Sequence, residues 1–399
     1  MSDSDLTGQS RSKDSTIEDD RPEVLTVEGM TKVYPDGTLA VDDINFGIKE
    51  GDFCVIIGPS GCGKSTTLHS LVGKIPVTEG RVTLADGDIT HTPTYRRDIG
   101  LVFQDFQLFP HMTVEENIWY GLRRMNISDD DANGRVESVV EMMQLKGMQD
   151  RRPEELSAGQ KQRVALARSL VLEPKLLLLD EPLGDMDYKL QKRMERELLR
   201  IHREFDTTFV YVTHDQTQAM RLADQIVVMN DGKIEQSGPV EEVYNEPNTA
   251  FVATFVGDSN IFYGEIVDVD KNGSRAVLKT DFGIFQLSTQ NLYSDPTDVV
   301  GREMSFAVRP QYLRLGDDYR NTLSCSVDDV IYQSGSGTQL ILRTASAASR
   351  ENEVQLKSDR RLDVETDEVT IGWEADDAIL LERTSVVEGI DLETDILGE

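Results

Sequence analysis

Phe53-Cys54-Val55-Ile56-Ile57-Gly58-Pro59-Ser60-Gly61-Cys62-Gly63-Lys64-Ser65-Thr66-Thr67-Leu68-His69-Ser70-Leu71-Val72 reads as three pieces in succession. Phe53–Ile57 is a short apolar strand, Gly58–Ser65 a glycine-rich loop, and Ser65–Val72 a helix. Strand, glycine-rich loop and helix form the setting in which Gly-x-x-x-x-Gly-Lys-Ser cradles phosphate. The glycines let backbone N–H groups curl round phosphate oxygens, and the helix N-terminus favours the anion. Lys64 is placed to reach the β- and γ-phosphates, and Ser65 to bind a magnesium ion. Gly58, Ser60, Gly61, Cys62, Gly63, Lys64, Ser65 and Thr66 are therefore the expected nucleotide-binding residues. Cys62 contributes backbone here, and its thiol is assigned no chemistry. The alternative is a chance glycine-rich turn, and the flanking strand and helix argue against it.

Working outward, Leu176–Leu179 is a buried strand that ends in Asp180-Glu181-Pro182. Downstream of a phosphate loop, such a strand places Asp180 in the shell around the metal. Glu181, next in line, polarises the attacking water. Other segments alternate. Val24–Asn45 reads as strand, turn and strand, with the turn at Tyr34-Pro35-Asp36-Gly37. Gly80–Leu84 and Ile99–Phe103 read as strands, and Val114–Leu145 as mostly helical with an acidic loop at Asp129–Asp131. A long helix follows Ser157 and stops at Pro174; Leu190–Phe205 and Gln216–Ala223 are further helices; Thr208–Val212 and Ile226–Met229 are strands. Strands alternating with helices imply a largely parallel α/β core, and with the phosphate loop at Gly58–Ser65 this resembles a P-loop NTPase fold.

The pattern changes near Gly257. Short β segments follow at Gly264–Val269, Ala276–Lys279, Phe285–Leu287, Met304–Val308, Ser326–Tyr332, Gln339–Arg343, Val369–Ile371 and Ala378–Leu381. This spacing predicts a small all-β barrel. The expected division is a disordered acidic tail at 1–20, an α/β domain at 21–256 and a β domain at 257–399.

The formal net charge is −31, from 72 acidic and 41 basic residues. That field opposes nucleic acid and anionic membrane. Self-repulsion on this scale weakens a compact state unless salt screens it, which suggests a salt-rich cytoplasm such as a halophile's. An acidic surface in ordinary salt is the alternative. Cys54, Cys62 and Cys325 show neither a C-x-x-C pair nor metal spacing, which fits a reduced compartment. No apolar run approaches the roughly 20 residues a membrane helix needs, so a membrane role is expected to come through partners.

Leu156-Ser157-Ala158-Gly159-Gln160 chooses among P-loop families. Alone, it reads as a helix N-cap at Ser157. In this order it resembles the signature of ABC ATPases, Leu-Ser-Gly-Gly-Gln, with Ala158 at the first glycine. The resemblance implies a head-to-tail pair of ATPase subunits, with each ATP between one subunit's phosphate loop and the other's signature. Ser157 and Gly159 would then reach the γ-phosphate. Further positions match the family singly. Tyr34 is similar to the aromatic that stacks on adenine. Gln104 resembles the Q-loop residue that contacts Mg²⁺ and the water. His214 resembles the switch histidine. Leu183–Asp187 takes the D-loop position, where Asp187 is retained and Gly184-Asp185-Met186 departs from the usual pattern. On this resemblance Glu181, His214 and Gln104 are catalytic, while Ser65, Gln104 and Asp180 attend the Mg²⁺.

The stretch Asp98–Gln104 through His111–Val114, and the passage Pro247–Gly257, resemble importer ATPases of the sugar, polyamine, iron and sulfate group. In that group a C-terminal oligonucleotide-fold-like (TOBE) domain follows. Val308-Arg309-Pro310-Gln311 resembles its Arg-Pro-Glu element, and Ile331-Tyr332-Gln333-Ser334-Gly335 and Gly372-Trp373 resemble later ones. Phe255–Phe262 is most similar to spermidine/putrescine importers. The resemblance implies a peripheral subunit at the cytoplasmic face of the membrane. Its partners would be a second ATPase subunit, two transmembrane permease subunits and, indirectly, an extracellular solute-binding protein. A soluble ABC ATPase of DNA repair is the distant alternative; those carry long coiled coils or zinc-binding cysteine pairs, which this sequence lacks. A non-catalytic regulator is a third, against which Lys64, Asp180, Glu181 and His214 stand.

Overall fold

In the computed structural model the apolar run before the phosphate loop is the centre of a sheet. The structure describes residues 21–387 apart from 126, 185, 206, 293, 333–336, 345–352, 363 and 365. The expected tail at 1–20, Asp185 and Gln333-Ser334-Gly335 lie outside the described residues. The first half runs β1 (Glu23–Val33), β2 (Leu39–Lys49), β3 (Phe53–Ile57), α1 (Lys64–Leu71), β4 (Glu79–Leu84), β5 (Gly87–Asp88), β6 (Ile99–Val102), α2 (Val114–Leu122) and α3 (Asp129–Met142). It continues with α4 (Ala158–Leu170), β7 (Leu176–Asp180), α5 (Tyr188–Phe205), β8 (Thr208–Val212), α6 (Gln216–Leu222), β9 (Gln225–Asn230), β10 (Lys233–Pro239), α7 (Val240–Asn245) and α8 (Ala250–Phe255).

Six of these strands form one sheet in the order β10-β9-β3-β8-β7-β6. Neighbours from β9 to β6 pair in parallel, and β10 closes one edge antiparallel. Successive side chains of a strand point to opposite faces, and both faces are covered here. Phe53, Val55, Ile57, Leu177, Leu179, Phe209 and Tyr211 pack with α2 to α6. Cys54, Ile56, Leu176, Leu178, Val210 and Val212 pack with α1 and the strands β1, β2 and β4. That is why β3, β7 and β8 are apolar without alternation. A second, antiparallel sheet, β2-β1-β4-β5, forms the outer layer over α1.

α1 is held at its far end by Arg97. This buried guanidinium donates to Ser70 O at 2.9 Å and Leu71 O at 2.5 Å, the last carbonyls of the helix. A cation there offsets the negative end of the helix dipole. Gly73, at φ +78°, gives way to it, since a Cβ would lie 2.6 Å from Arg97 Nε.

The β region comprises β11 (Asn260–Val269), β12 (Arg275–Thr280), β13 (Gly283–Ser288), β14 (Glu303–Val308), β15 (Arg314–Leu315), β16 (Asn321–Tyr332), β17 (Thr338–Thr344), β18 (Glu353–Ser358), β19 (Glu368–Trp373) and β20 (Ala378–Leu381). They make two five-stranded sheets, β13-β12-β11-β14-β20 and β15-β19-β16-β17-β18. The sheets share one core, in which Phe262 and Phe306 stack at 4.9 Å and Trp373 meets Phe285 at 5.0 Å.

Some expectations need correction. Asp129–Asp131 is not a loop but the first turn of α3. Ser128 Oγ caps that helix by accepting from Asp131 N at 3.1 Å, and the acids suit the positive end of the helix. The helical stretch Val114–Leu145 is two helices, α2 and α3. β10, β15, β18, α7 and α8 were not anticipated. β15 is only two residues long, and β10 follows β9 across a tight turn at Asp231-Gly232.

Candidate active site

A parallel sheet puts the C-terminal ends of its strands on one edge, and ligand-binding loops gather there. Along this edge stand the turn after β9, the phosphate loop after β3, His214 after β8, Asp180-Glu181 at the end of β7, and Gln104 after β6. Segments more than a hundred residues apart in sequence thereby meet.

The phosphate loop is shaped by glycine at two close approaches. A Cβ on Gly58 would lie 2.2 Å from Met229 O, and one on Gly63, at φ +103°, would lie 2.5 Å from Ala40 O. The loop is seated on the turn after β9, where Gly232 N donates to Cys62 O at 3.1 Å. Lys64 is buried, and its Nζ donates to Gly58 O at 2.8 Å and Pro59 O at 2.7 Å. Among the described residues it has no carboxylate partner, so a phosphate would supply the missing counter-charge. Burial pushes the Cys62 thiol up from its ordinary value, against the pull of Lys64. Tyr34 comes to the same place: its hydroxyl lies 3.2 Å from Thr66 Oγ1 on α1.

Glu181 sits at φ +43°, an uncommon conformation for a residue with a side chain, and one that clusters at functional sites. Its N–H donates to Val212 O at 3.1 Å, which ties the end of β7 to β8. Its Oε2 lies 3.2 Å from His214 Nδ1. Gly184 lies beside both Glu181 and Gln104: a Cβ there would be 3.6 Å from Gln104 Nε2 and 3.8 Å from Glu181 Oε2. Gln104, Glu181 and His214 therefore converge. The oxygen donors at hand, the Ser65 hydroxyl, the Asp180 carboxylate and the Gln104 amide, suit a hard cation such as Mg²⁺.

The structure does not bring the signature to this chain's own phosphate loop. Ser157 caps α4 with a full capping box: Ser157 Oγ accepts from Gln160 N at 3.4 Å, and Ser157 N donates to Gln160 Oε1 at 2.9 Å. A Cβ on Gly159 would face Met194 and Leu190, and Gln160 Nε2 faces Met148. Leu156 is buried in the helical core and Ala158 opens the helix. Asp187 caps α5, its Oδ1 accepting from Lys189 N and Leu190 N, each at 3.1 Å.

Several supporting residues escaped the sequence reading. Arg168 on α4 donates to Phe106 O at 3.1 Å and Gln107 O at 2.7 Å, and both of those residues have positive φ. It thus fixes the loop after Gln104. Gln218 Oε1 accepts from the hydroxyls of Tyr211 and Thr213, and Asp215 accepts from Gln218 N at 2.9 Å, so His214 rides on a braced turn. Asp215 also accepts from Gln191 on α5 at 3.3 Å. Burial, and then Asp215, raise the nearby Glu195 carboxyl above its ordinary value.

Comparison with known proteins identifies the family. Residues 41–184 match the model of the ABC transporter family and residues 306–381 that of the TOBE domain. The spermidine/putrescine import ATP-binding protein PotA of Rubrobacter xylanophilus is 40% identical over 369 residues, 91% of this chain and 95% of that protein. The PotA of Bacillus cereus is 47% identical over 238 residues, 60% of this chain and 72% of that protein. A solved structure of cbiO1 from Clostridium perfringens, part of the ABC transporter complex cbiONQ, matches with a TM-score of 0.52 and 32% identity. The match covers 55% of this chain and 90% of that one. The chain belongs to the ABC transporter family, as an ATP-hydrolysing subunit with a C-terminal TOBE domain.

Proposed function

We propose that this chain drives uptake of a polyamine of the spermidine and putrescine kind. The observation that carries this reading is the likeness to spermidine/putrescine import ATP-binding proteins along nearly the whole chain, at 40% identity over 95% of the relative's length. Within the site, Lys64 and the loop glycines hold the phosphates, and Tyr34 takes the adenine. Glu181 accepts the proton of the attacking water, and His214, next to it, orients the γ-phosphate side of the site. Ser65, Asp180 and Gln104 would hold Mg²⁺, which when bound neutralises charge developing on the β- and γ-phosphates.

On the resemblance of Leu156–Gln160 to the ABC signature, a second ATPase subunit completes the site head to tail. Asp187 lies at the face between the two. Among the described residues no helix is long and apolar enough to cross a membrane. By the likeness to import ATP-binding proteins, the chain works as a peripheral subunit at the cytoplasmic face, on two transmembrane permease subunits fed by an extracellular binding protein. The domains divide at 256/257, between α8 and β11.

The test is uptake of labelled spermidine and putrescine by cells carrying this subunit with its permease and binding protein. Polyamine uptake that Lys64→Ala abolishes is the expected result. Uptake of another solute alone, such as a sugar or sulfate, would reassign the cargo and leave the ATPase intact.

A further inference from the structure

The helix after the phosphate loop carries a histidine that none of the chemistry above uses. His69 lies four residues after Ser65 on α1, so the two side chains share a face of the helix. That face looks onto the end of β7, where His69 Nε2 stands 3.4 Å from Asp180 Oδ2. Nε2 is shut off from solvent, yet the present alignment gives it no hydrogen bond. A buried polar atom left unpaired costs about 1–3 kcal/mol, so its position calls for a partner. The helix cannot shift to find one. Lys74 N and Ile75 N grip His69 O at 2.9 and 3.2 Å, Arg97 closes the same helix end, and Thr67 N donates to Gly63 O at 2.8 Å at the other. The movable group is the Asp180 carboxylate, which needs only a rotation to meet the ring nitrogen.

We propose that His69 is a positioning residue for the metal: its Nε2–H donates to Asp180 Oδ2 and leaves Oδ1 for the magnesium ion and its waters. The neutral ring with its proton on Nε2 suffices. Partners in the second layer of a metal site orient its ligands, and their loss weakens metal binding about 10–100-fold. The inference rests on the proposed role of Asp180 toward Mg²⁺.

The experiment measures how far Mg²⁺ tightens equilibrium binding of a fluorescent non-hydrolysable ATP analogue to the full chain, against binding in EDTA. His69→Asn and His69→Gln form the decisive pair, because a Gln amide nitrogen reaches the place of Nε2 and an Asn amide does not. The Mg²⁺-dependent gain is expected to fall about 10-fold in His69→Asn and His69→Ala and to persist in His69→Gln. Binding in EDTA stays unchanged in all three. Equal gains in all three variants, loss in His69→Gln as well, or weakened binding in EDTA would each overturn the inference. Asp180→Asn is the control: if it keeps the full gain, the reading of Asp180 itself fails. If it loses the gain while the His69 variants keep theirs, only the inference about His69 fails.

Discussion

Glu181 shows how much a single position asks of the backbone. A left-handed conformation costs a residue with a Cβ about 1–3 kcal/mol, and φ +43° at Glu181 is maintained by its hydrogen bonds to β8 and Gly184. The result is a carboxylate turned toward His214 at 3.2 Å. Glu181→Gln keeps the size and the backbone while removing the proton acceptor. Turnover is expected to drop about 10²–10⁴-fold, since that is the range a general base contributes. ATP binding should survive, and size-exclusion chromatography with ATP should show a trapped dimer. Ordinary turnover in this variant would remove Glu181 from its role. The type and order of Lys64, Asp180, Glu181 and His214 are legible in the sequence because each ends a strand or opens a helix in a fixed local pattern. His69 and Arg168 are not, because their meaning depends on which distant backbone or carboxylate lies opposite.

At the scale of elements, the start of α4 serves two purposes that can be separated. Ser157 is an N-cap by geometry and, on the family resemblance, a phosphate contact for the partner subunit. Ser157→Ala removes the cap and is expected to cost about 1 kcal/mol in a urea melt. Ser157→Asp is an equally good cap, but it sets a negative charge where the partner's γ-phosphate would lie. It is expected to match the parent in stability and to lose ATP hydrolysis. A Ser157→Asp protein with parental turnover would leave only the capping role. The acidic run at Asp129–Asp131 carries a related lesson. Read by charge it suggests a loop, yet Ser128 and the helix dipole make the same acids favourable as a first turn.

The whole molecule is joined by contacts that no local pattern announces. Arg309, buried between the domains, donates to Tyr244 O at 2.6 Å, to Ala253 O at 2.6 Å, to Ser259 Oγ at 2.9 Å and also to Gly257 O, and its guanidinium lies 4.3 Å from the Tyr244 ring centre. After β20 the chain returns to the first domain. Ala250 N and Phe251 N donate to Arg383 O and Thr384 O, and the buried Glu235 accepts from Thr249, Ser385 and Val386. Arg309→Ala removes the guanidinium donor from the carbonyls of Tyr244, Ala253 and Gly257, and a buried group left unpaired costs about 1–3 kcal/mol. Calorimetry is expected to show the melting of the two domains separate; an unaltered single transition would show the guanidinium to be dispensable. The net charge of −31 acts at this scale too. The screening length shrinks from about 10 Å at 0.1 M salt to about 3 Å at 1 M, so the melting temperature should rise with salt. A melting temperature indifferent to salt would refute the self-repulsion argument.

The sequence by itself determined the engine: the strand, loop and helix of residues 53–72, the acids at Asp180 and Glu181, and a β region after Gly257 all follow from local patterns. Only the tertiary structure decided what those parts do together. Parallel pairing placed five strand ends on one edge, so that Gln104, Glu181 and His214 meet although they are far apart in the chain. The helical fold set Leu156–Gln160 at the start of α4, capped by Ser157 and packed toward Met148, Leu190 and Met194. It also set His69 opposite Asp180 and Arg309 between the domains. The physical reason is that sequence patterns record the period of one element at a time, whereas these contacts join elements across the packed core.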